Sequence, residues 1–222
     1  AEQSGGGKVY LEYEPKVAAI GAGLDIFKPS GNMVIDMGGG TSDIAILSLG
    51  DIVSSQSVRM AGDKMNTDIT EYIKAKHGLV IGEHSAEQIK IKLGTALKVV
   101  EPKTMDVRGR DVATGMPRQI QINENEIEEA LHDTLDQIVH AAIAVLETVP
   151  PELASDIIDR GVMLTGGTAL LHGIDQLFSE KLKVPVVVSQ DPLDNVAKGA
   201  GELLERMQAN PANNGKRKRK RK

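Results

Sequence analysis

The sequence predicts an α/β protein. Short β-prone runs alternate with amphipathic helical stretches along the 222 residues. Two glycine-rich turns, Gly38-Gly39-Gly40 and Gly166-Gly167, each follow an apolar strand-like run. The second turn leads straight into a helical pattern, as a βα unit does. At 41% hydrophobic and 26% charged the chain is long and apolar enough to bury a sizeable core, which Ile, Val, Leu, Ala and Met must fill because aromatic residues make up only 2%. So few aromatics argue against stacking of single-stranded nucleic acid. The absence of cysteine excludes disulfides and thiolate chemistry and fits a reducing compartment. No signal peptide is visible, and no apolar run approaches the ~20 residues of a spanning helix.

Residues 1–7 read as a loop or linker and 8–11 as a short strand. Pro15 suits the first turn of an Ala-rich helix over 16–23, ended by Gly21 and Gly23. Glu14, just ahead of it, is a candidate to polarise a water; the same acid also simply favours a helix N-terminus. An apolar run from Met33 to Ile35 ends on Asp36. Gly38-Gly39-Gly40 makes a turn, Thr41 follows, and a second β-prone run covers 44–49, so the whole reads as a hairpin. Three glycine amides without Cβ atoms can approach an anion closely and form a nest for phosphate oxygens, with the Thr41 hydroxyl as a further donor. Asp36 at the mouth of that turn suits Mg²⁺, directly or through water, because a carboxylate repels phosphate itself. A plain hairpin with a glycine-rich turn accounts for the same residues.

A third strand is expected over 51–60, entered through a Gly50-Asp51 turn, then a helix over 64–76 stopped by Gly78. Ser85-Ala-Glu-Gln88 has capping-box spacing and places a helix start near Ser85, with its end at Gly94. Glu87 and Lys90 share a face of that helix. They form either a surface pair or a polar pair for a ribose hydroxyl and an adenine edge. Residues 96–107 and 118–122 are strand-like. The longest helix covers 123–148, with an apolar stripe of Ile127, Leu131, Leu135, Ile138, Ala142, Val145 and Leu146, and Pro150-Pro151 stops it. A short helix over 151–158, a buried strand over 162–165, a helix opened by Gly166-Gly167-Thr168-Ala169 and running to 182, a strand over 184–188 and a final helix over 195–207 complete the chain. Backbone donors at the start of the helix after 165 can meet a ligand, or the turn is an ordinary βα connection. Gly199 and Gly201 weaken the last helix, which points to close packing or ligand approach there.

The pair of loops, Asp36-Met-Gly-Gly-Gly-Thr41 in a hairpin and Thr165-Gly-Gly-Thr-Ala169 before a helix, resembles the actin, Hsp70 and sugar-kinase superfamily. Within it, Glu14-Pro15-Lys16-Val-Ala-Ala-Ile-Gly-Ala-Gly23, Met60-Ala-Gly-Asp63, Pro150-Pro-Glu-Leu-Ala-Ser-Asp156 and Arg160-Gly-Val-Met-Leu-Thr-Gly-Gly167 are similar to the bacterial actins of the MreB and Mbl family, over about 9–207. The resemblance implies an actin-like ATPase (RNase H-like) lobe formed by 9–60 plus 123–207, with a small inserted α+β subdomain over 61–122 and a basic tail over 208–222. It implies ATP or ADP with Mg²⁺ as cofactors. Asp36 would organise Mg²⁺, and Gly38, Gly39, Gly40 and Thr41 would hold the β- and γ-phosphates. Glu87, Gln88, Ile89 and Lys90 would serve the ribose and adenine side, and Gly166, Gly167, Thr168 and Ala169 would line the nucleotide opposite. Glu14 would position the attacking water for slow hydrolysis.

Two departures stand out. Thr168 occupies a position where the family pattern carries a third glycine, and its Cβ would crowd a ligand if the backbone needed φ > 0 there. Nothing before Val9 supplies the family's first phosphate loop or the membrane-insertion residues of its first half. The chain is therefore expected to be the second half of the fold, with a one-walled cleft and weak ATP binding and hydrolysis on its own.

The net charge of −5 includes seven consecutive basic residues, Lys216, Arg217, Lys218, Arg219, Lys220, Arg221 and Lys222, so the chain without them carries −12. Such a tail binds anionic lipid head groups, binds nucleic acid without sequence specificity, or is solvated and inert. In a family that works at the membrane, lipid comes first. The reading that follows is an ATP-regulated filament in the cytoplasm, at the inner face of the cell membrane, that supports cell shape or motility. The rivals are an ATP-dependent enzyme or chaperone of the same superfamily and a membrane-tethering module acting through its tail alone.

Overall fold

The computed structural model describes residues 9–209; the expectations for 1–7 and for the basic tail lie outside them. In chain order the elements are α1 (Glu14–Gly21), β1 (Asn32–Met37), β2 (Ser42–Ser48), β3 (Asp51–Val58), α2 (Gly62–His77), β4 (Leu79–Val80), α3 (Glu83–Leu93), β5 (Thr104–Asp111), β6 (Pro117–Asn123), α4 (Glu124–Glu147), α5 (Pro151–Arg160), β7 (Val162–Thr165), a 3₁₀ turn (Gly167–Leu170), α6 (Ile174–Leu182), β8 (Val186–Val188) and α7 (Asn195–Ala209). One sheet has the order β3-β2-β1-β7-β8, the other β4-β5-β6. In the larger sheet β1, β2 and β3 are antiparallel neighbours, whereas β7 runs parallel to β1 and β8 parallel to β7.

Strand β1 is buried along its whole length. Its side chains alternate between two apolar layers, as the pleat requires. Met33, Ile35 and Met37 join Ile44, Ile46 and the stripe of α4 on one face. Val34 joins Ala45, Leu47, Val17 and Ile20 on the other, under α1 and α7. The first layer continues without a break into the smaller sheet, through Leu79, Val107 and Ile122. Helix α4 spans both sheets, and its start is fixed by a capping box: Glu126 N–H donates to Asn123 Oδ1 at 3.2 Å while Asn123 N–H donates to Glu126 Oε2 at 3.0 Å. Among the described residues no helix is long and apolar enough to cross a membrane.

Four local expectations are corrected. Residues 9–11 form no strand; Leu11 is 90% exposed, and among the described residues no strand takes up its backbone. Residues 96–103 are not strand either. Asn125 grips Val99 at both its N–H and its carbonyl, and Ala96 N–H donates to His172 O, so this segment is tied at two separate places and has no ladder partner among the described residues. Helix α3 begins at Glu83, which leaves Ser85 inside the first turn rather than at the cap. The helix expected from 166 to 182 is split, because Gly173 adopts φ +72° between the 3₁₀ turn and α6.

The glycines of α7 separate cleanly. A Cβ on Gly199 would lie 1.9 Å from the Val17 carbonyl oxygen of α1, so the two helices cross with backbones in contact; a Cβ on Gly201 would meet nothing within 4 Å. Gly199→Ala is therefore expected to destabilise by at least about 1–3 kcal/mol through overpacking. Gly201→Ala is expected to be neutral or to stabilise by up to ~1 kcal/mol through helix propensity. Urea denaturation of both variants checks the contrast.

Candidate functional site

Parallel pairing of β1 with β7 sets Asp36 beside Thr165. Both strands therefore end at the same edge of the sheet, and the two glycine turns emerge side by side. In the first turn, Gly38 N–H donates to Thr41 O at 3.0 Å. In the second, Gly166 has φ +84°, and a Cβ on it would lie 2.3 Å from Met37 O and 2.6 Å from Asp36 Oδ1. Only glycine satisfies both that angle and that approach. The Gly38 carbonyl then accepts from Thr168 Oγ1 at 3.2 Å and from Gly62 N–H at 3.1 Å, and Asp63 N–H donates to Gly39 O at 2.8 Å. These bonds fasten the N-terminus of α2 and the second turn to the first. Between them opens a cleft of about 670 Å³. Thr168 does not crowd it by backbone strain: the left-handed residue is Gly166, and the Thr168 hydroxyl is spent on the Gly38 carbonyl.

Of the residues singled out in the sequence, Glu14, Asp36, Gly38, Gly39, Glu87, Lys90, Gly166, Gly167 and Thr168 line this cleft. Five others do not. Ile89 and Ala169 point into the apolar core, Gln88 lines a separate groove between α3 and β5, and Gly40 is exposed at the outside of its turn. The Thr41 hydroxyl donates to Asp43 Oδ2 at 2.8 Å. The cleft adds Asp63 and an apolar wall of Ile91, Leu170, Leu193 and Val196. Asp63 stood in the Met60-Ala-Gly-Asp63 motif without a role; the apolar wall gathers α3, the 3₁₀ turn and α7, and carries no local signal.

Behind the cleft, Asn195 is buried at the start of α7. In the orientation that satisfies both ends of its amide, the oxygen accepts from the hydroxyls of Thr165 and Ser189, and the nitrogen donates to the carbonyls of Asp191 and Gly21. One side chain thus joins the end of β7, the 189–192 loop, α1 and α7.

Asp36 is 6% exposed. Burial first, then the charges of Glu14 and Asp43, push its pKa up to about 6. Across the cleft, Lys90 Nζ donates to Gly62 O at 2.9 Å and to Glu87 Oε2 at 2.8 Å. The Lys90 bond, then one from Asn66, holds Glu87 below the usual carboxylate range. Among the described residues of the lining, Glu14, Asp36, Asp63 and Glu87 thus stand against a single ammonium, that of Lys90. Among the described residues no group of three or more acids or histidines could by itself hold a metal. The arrangement fits a polyanion that carries its own divalent cation, with phosphate oxygens and water supplying most of the metal's ligands. Among the described residues the Gly39, Gly40 and Gly167 amides have no protein acceptor and are free to donate.

The raised Asp36 pKa has a defined sign. Between about 4 and 6 the folded state holds more protons than the unfolded one, so this residue's contribution to stability falls as pH rises through that window. Above it, ionised Asp36 costs at most ~3 kcal/mol. Without added ligand, Asp36→Asn is expected to be more stable than wild type at pH 7.5, with the difference fading as pH falls below about 6. Denaturation midpoints across that range check it.

A model of the MreB/Mbl protein family matches residues 1–212. The cell shape-determining protein Mbl of Bacillus subtilis is 57% identical over 95% of this chain and 63% of its own length. The cell shape-determining protein MreB of Escherichia coli K12 is 48% identical over 92% of this chain and 59% of its own length. Among solved structures, MreB5 of Spiroplasma citri bound to AMPPNP superposes with a TM-score of 0.92 at 37% identity, covering 96% of this chain and 64% of that one. The chain thus spans less than two thirds of the length of these relatives. Because the family model covers residues 1–212, relatives 57% and 48% identical match more than nine-tenths of the chain, and the MreB5 structure superposes on nearly all of it, this chain belongs to the MreB/Mbl family.

Proposed function

We propose that this chain is the nucleotide-binding lobe of a bacterial cytoskeletal protein that determines cell shape. The observation that carries the reading is the juxtaposition of two glycine turns with Asp36 between them, in a chain 37% identical to a structure bound to AMPPNP. Gly38, Gly39, Gly166 and Gly167 offer backbone donors to the phosphates. Glu87 and Lys90 serve the sugar and base side, and Ile91, Leu170 and Leu193 provide apolar surface for the base. When bound, Mg²⁺ would neutralise phosphate charge and orient the chain of oxygens. Asp36 would hold its water shell, and Glu14 would orient the attacking water in slow hydrolysis. Residues 61–122 are read as a subdomain inserted into a lobe made of 9–60 and 123–207. Filament assembly follows from the family reading, as does a place in the cytoplasm at the inner face of the cell membrane. Lys216 to Lys222 are read as a contact for anionic lipid head groups.

Calorimetric titration of the 222-residue chain with ATP tests this. With Mg²⁺ present, binding is expected, weak because this lobe supplies one wall of the cleft, and Asp36→Ala is expected to weaken it further by about tenfold or more. With Mg²⁺ chelated, the same substitution is expected to leave binding unchanged or tighter, because it removes a negative charge from an acidic cleft. Failure of the wild-type chain to bind Mg²⁺-ATP overturns the reading of this lobe as sufficient for nucleotide binding.

A further inference from the structure

Asn66 lies on the buried side of α2 and is 5% exposed. Its Nδ2 donates to Glu87 Oε2 at 2.7 Å. Its Oδ1 is a buried acceptor without a donor among the described residues. A buried carbonyl oxygen left in that state costs stability, and Asn is a poorer helix former than Leu. Neither folding of α2 nor packing beneath it therefore calls for an asparagine. What the residue does supply is one hydrogen bond to a carboxylate on the cleft wall.

That carboxylate is held from two sides. Glu87 Oε2 also accepts from Lys90 Nζ at 2.8 Å, and Lys90 is itself anchored on Gly62 O at 2.9 Å. Two donors on one oxygen fix the plane of the carboxylate and leave Oε1 as an unspent acceptor. Glu87 lines the cleft and stays ionised at neutral pH. The apolar surfaces of Ile91, Leu170 and Leu193 suit the faces of a base, which leaves the polar corner of Glu87 and Lys90, backed by buried Asn66, for the hydroxyls of the sugar.

We propose that Asn66 is a positioning residue that orients the Glu87 carboxylate toward a ribose hydroxyl, and so makes the cleft select ribonucleotides over deoxyribonucleotides. This rests on the nucleotide reading above. A site built to hydrogen-bond a hydroxyl rejects the analogue lacking it, because its own polar group is then left unpaired.

The test is titration of the 222-residue chain with ATP, 2′-deoxyATP and 3′-deoxyATP in Mg²⁺. Wild type is expected to prefer ATP to at least one deoxy analogue by about tenfold or more, the worth of a hydrogen bond to an ionised group. Asn66→Leu is expected to keep or raise the melting temperature, because the orphaned oxygen is gone, while the preference falls to about threefold or less. Glu87→Ala is expected to lose the same preference, and the double variant to lose no more than Glu87→Ala alone. Asn66→Ala stands in if the Leu variant does not fold. A wild-type ratio near one, or an unchanged ratio in the Asn66 variants, overturns the inference while leaving ATP binding intact. Additive losses in the double variant overturn the action through Glu87. If the wild-type chain binds no ATP, the reading beneath the inference falls with it.

Discussion

The cleft depends on one parallel contact, β1 against β7 with Asp36 beside Thr165. These strands are separated by more than a hundred residues, yet their C-terminal ends share an edge of the sheet. A parallel sheet collects its loops at the carboxyl ends of its strands, and ligands bind where those loops meet. Here both loops are glycine-rich, and Gly166 comes so close to Met37 and Asp36 that any side chain there would force the strands apart. The Gly38 carbonyl, accepting from Thr168 and Gly62, turns two adjacent loops into one rigid edge.

Two further contacts hold that edge in place. Helices α1 and α7 cross at Gly21 and Gly199 with almost no space between their backbones. Asn195 then ties both helices to the end of β7 and to the 189–192 loop. The opposite wall hangs from α2, whose N-terminus is bonded to the first glycine turn, and from α3, which carries Glu87 and Lys90. Helix α4 joins the two walls from below, since its apolar stripe packs under both sheets. The site is thus rigid at its floor and joined to the smaller sheet through one continuous core.

Charge gives the cleft its chemistry. Among the described residues, four carboxylates and one ammonium line it, an excess of negative charge that would repel a bare phosphate chain. Asp36 occupies the most buried of those acidic positions, where ionisation is costly until a cation shares its field. Across the cleft, Lys90 and Asn66 keep Glu87 charged and directed. The two walls therefore hold carboxylates of opposite temper, one suppressed by burial and one stabilised by donors.

The sequence by itself determined the elements and much of the cleft's floor. Strand β1, the β2 and β3 hairpins, the long α4 stripe and β7 follow from local periodicity, and the glycine runs at 38–40 and 166–167 mark turns, although of these only Gly166 combines a left-handed φ with a backbone approach that excludes a Cβ. Tertiary structure decided the rest. It alone showed that 96–103 has no strand partner among the described residues, that Gly173 splits the last βα helix, and that Thr41 bonds to Asp43 while Ile89 and Ala169 face the core. It also assembled the apolar wall from α3, the 3₁₀ turn and α7, and placed Asn195 as a buried hub and Asn66 as a buried donor behind Glu87. The reason is physical: turn and helix preferences act over a few residues and are written in them. Which face a side chain presents, and which distant acceptor it meets, depends on pairing between segments far apart in the chain.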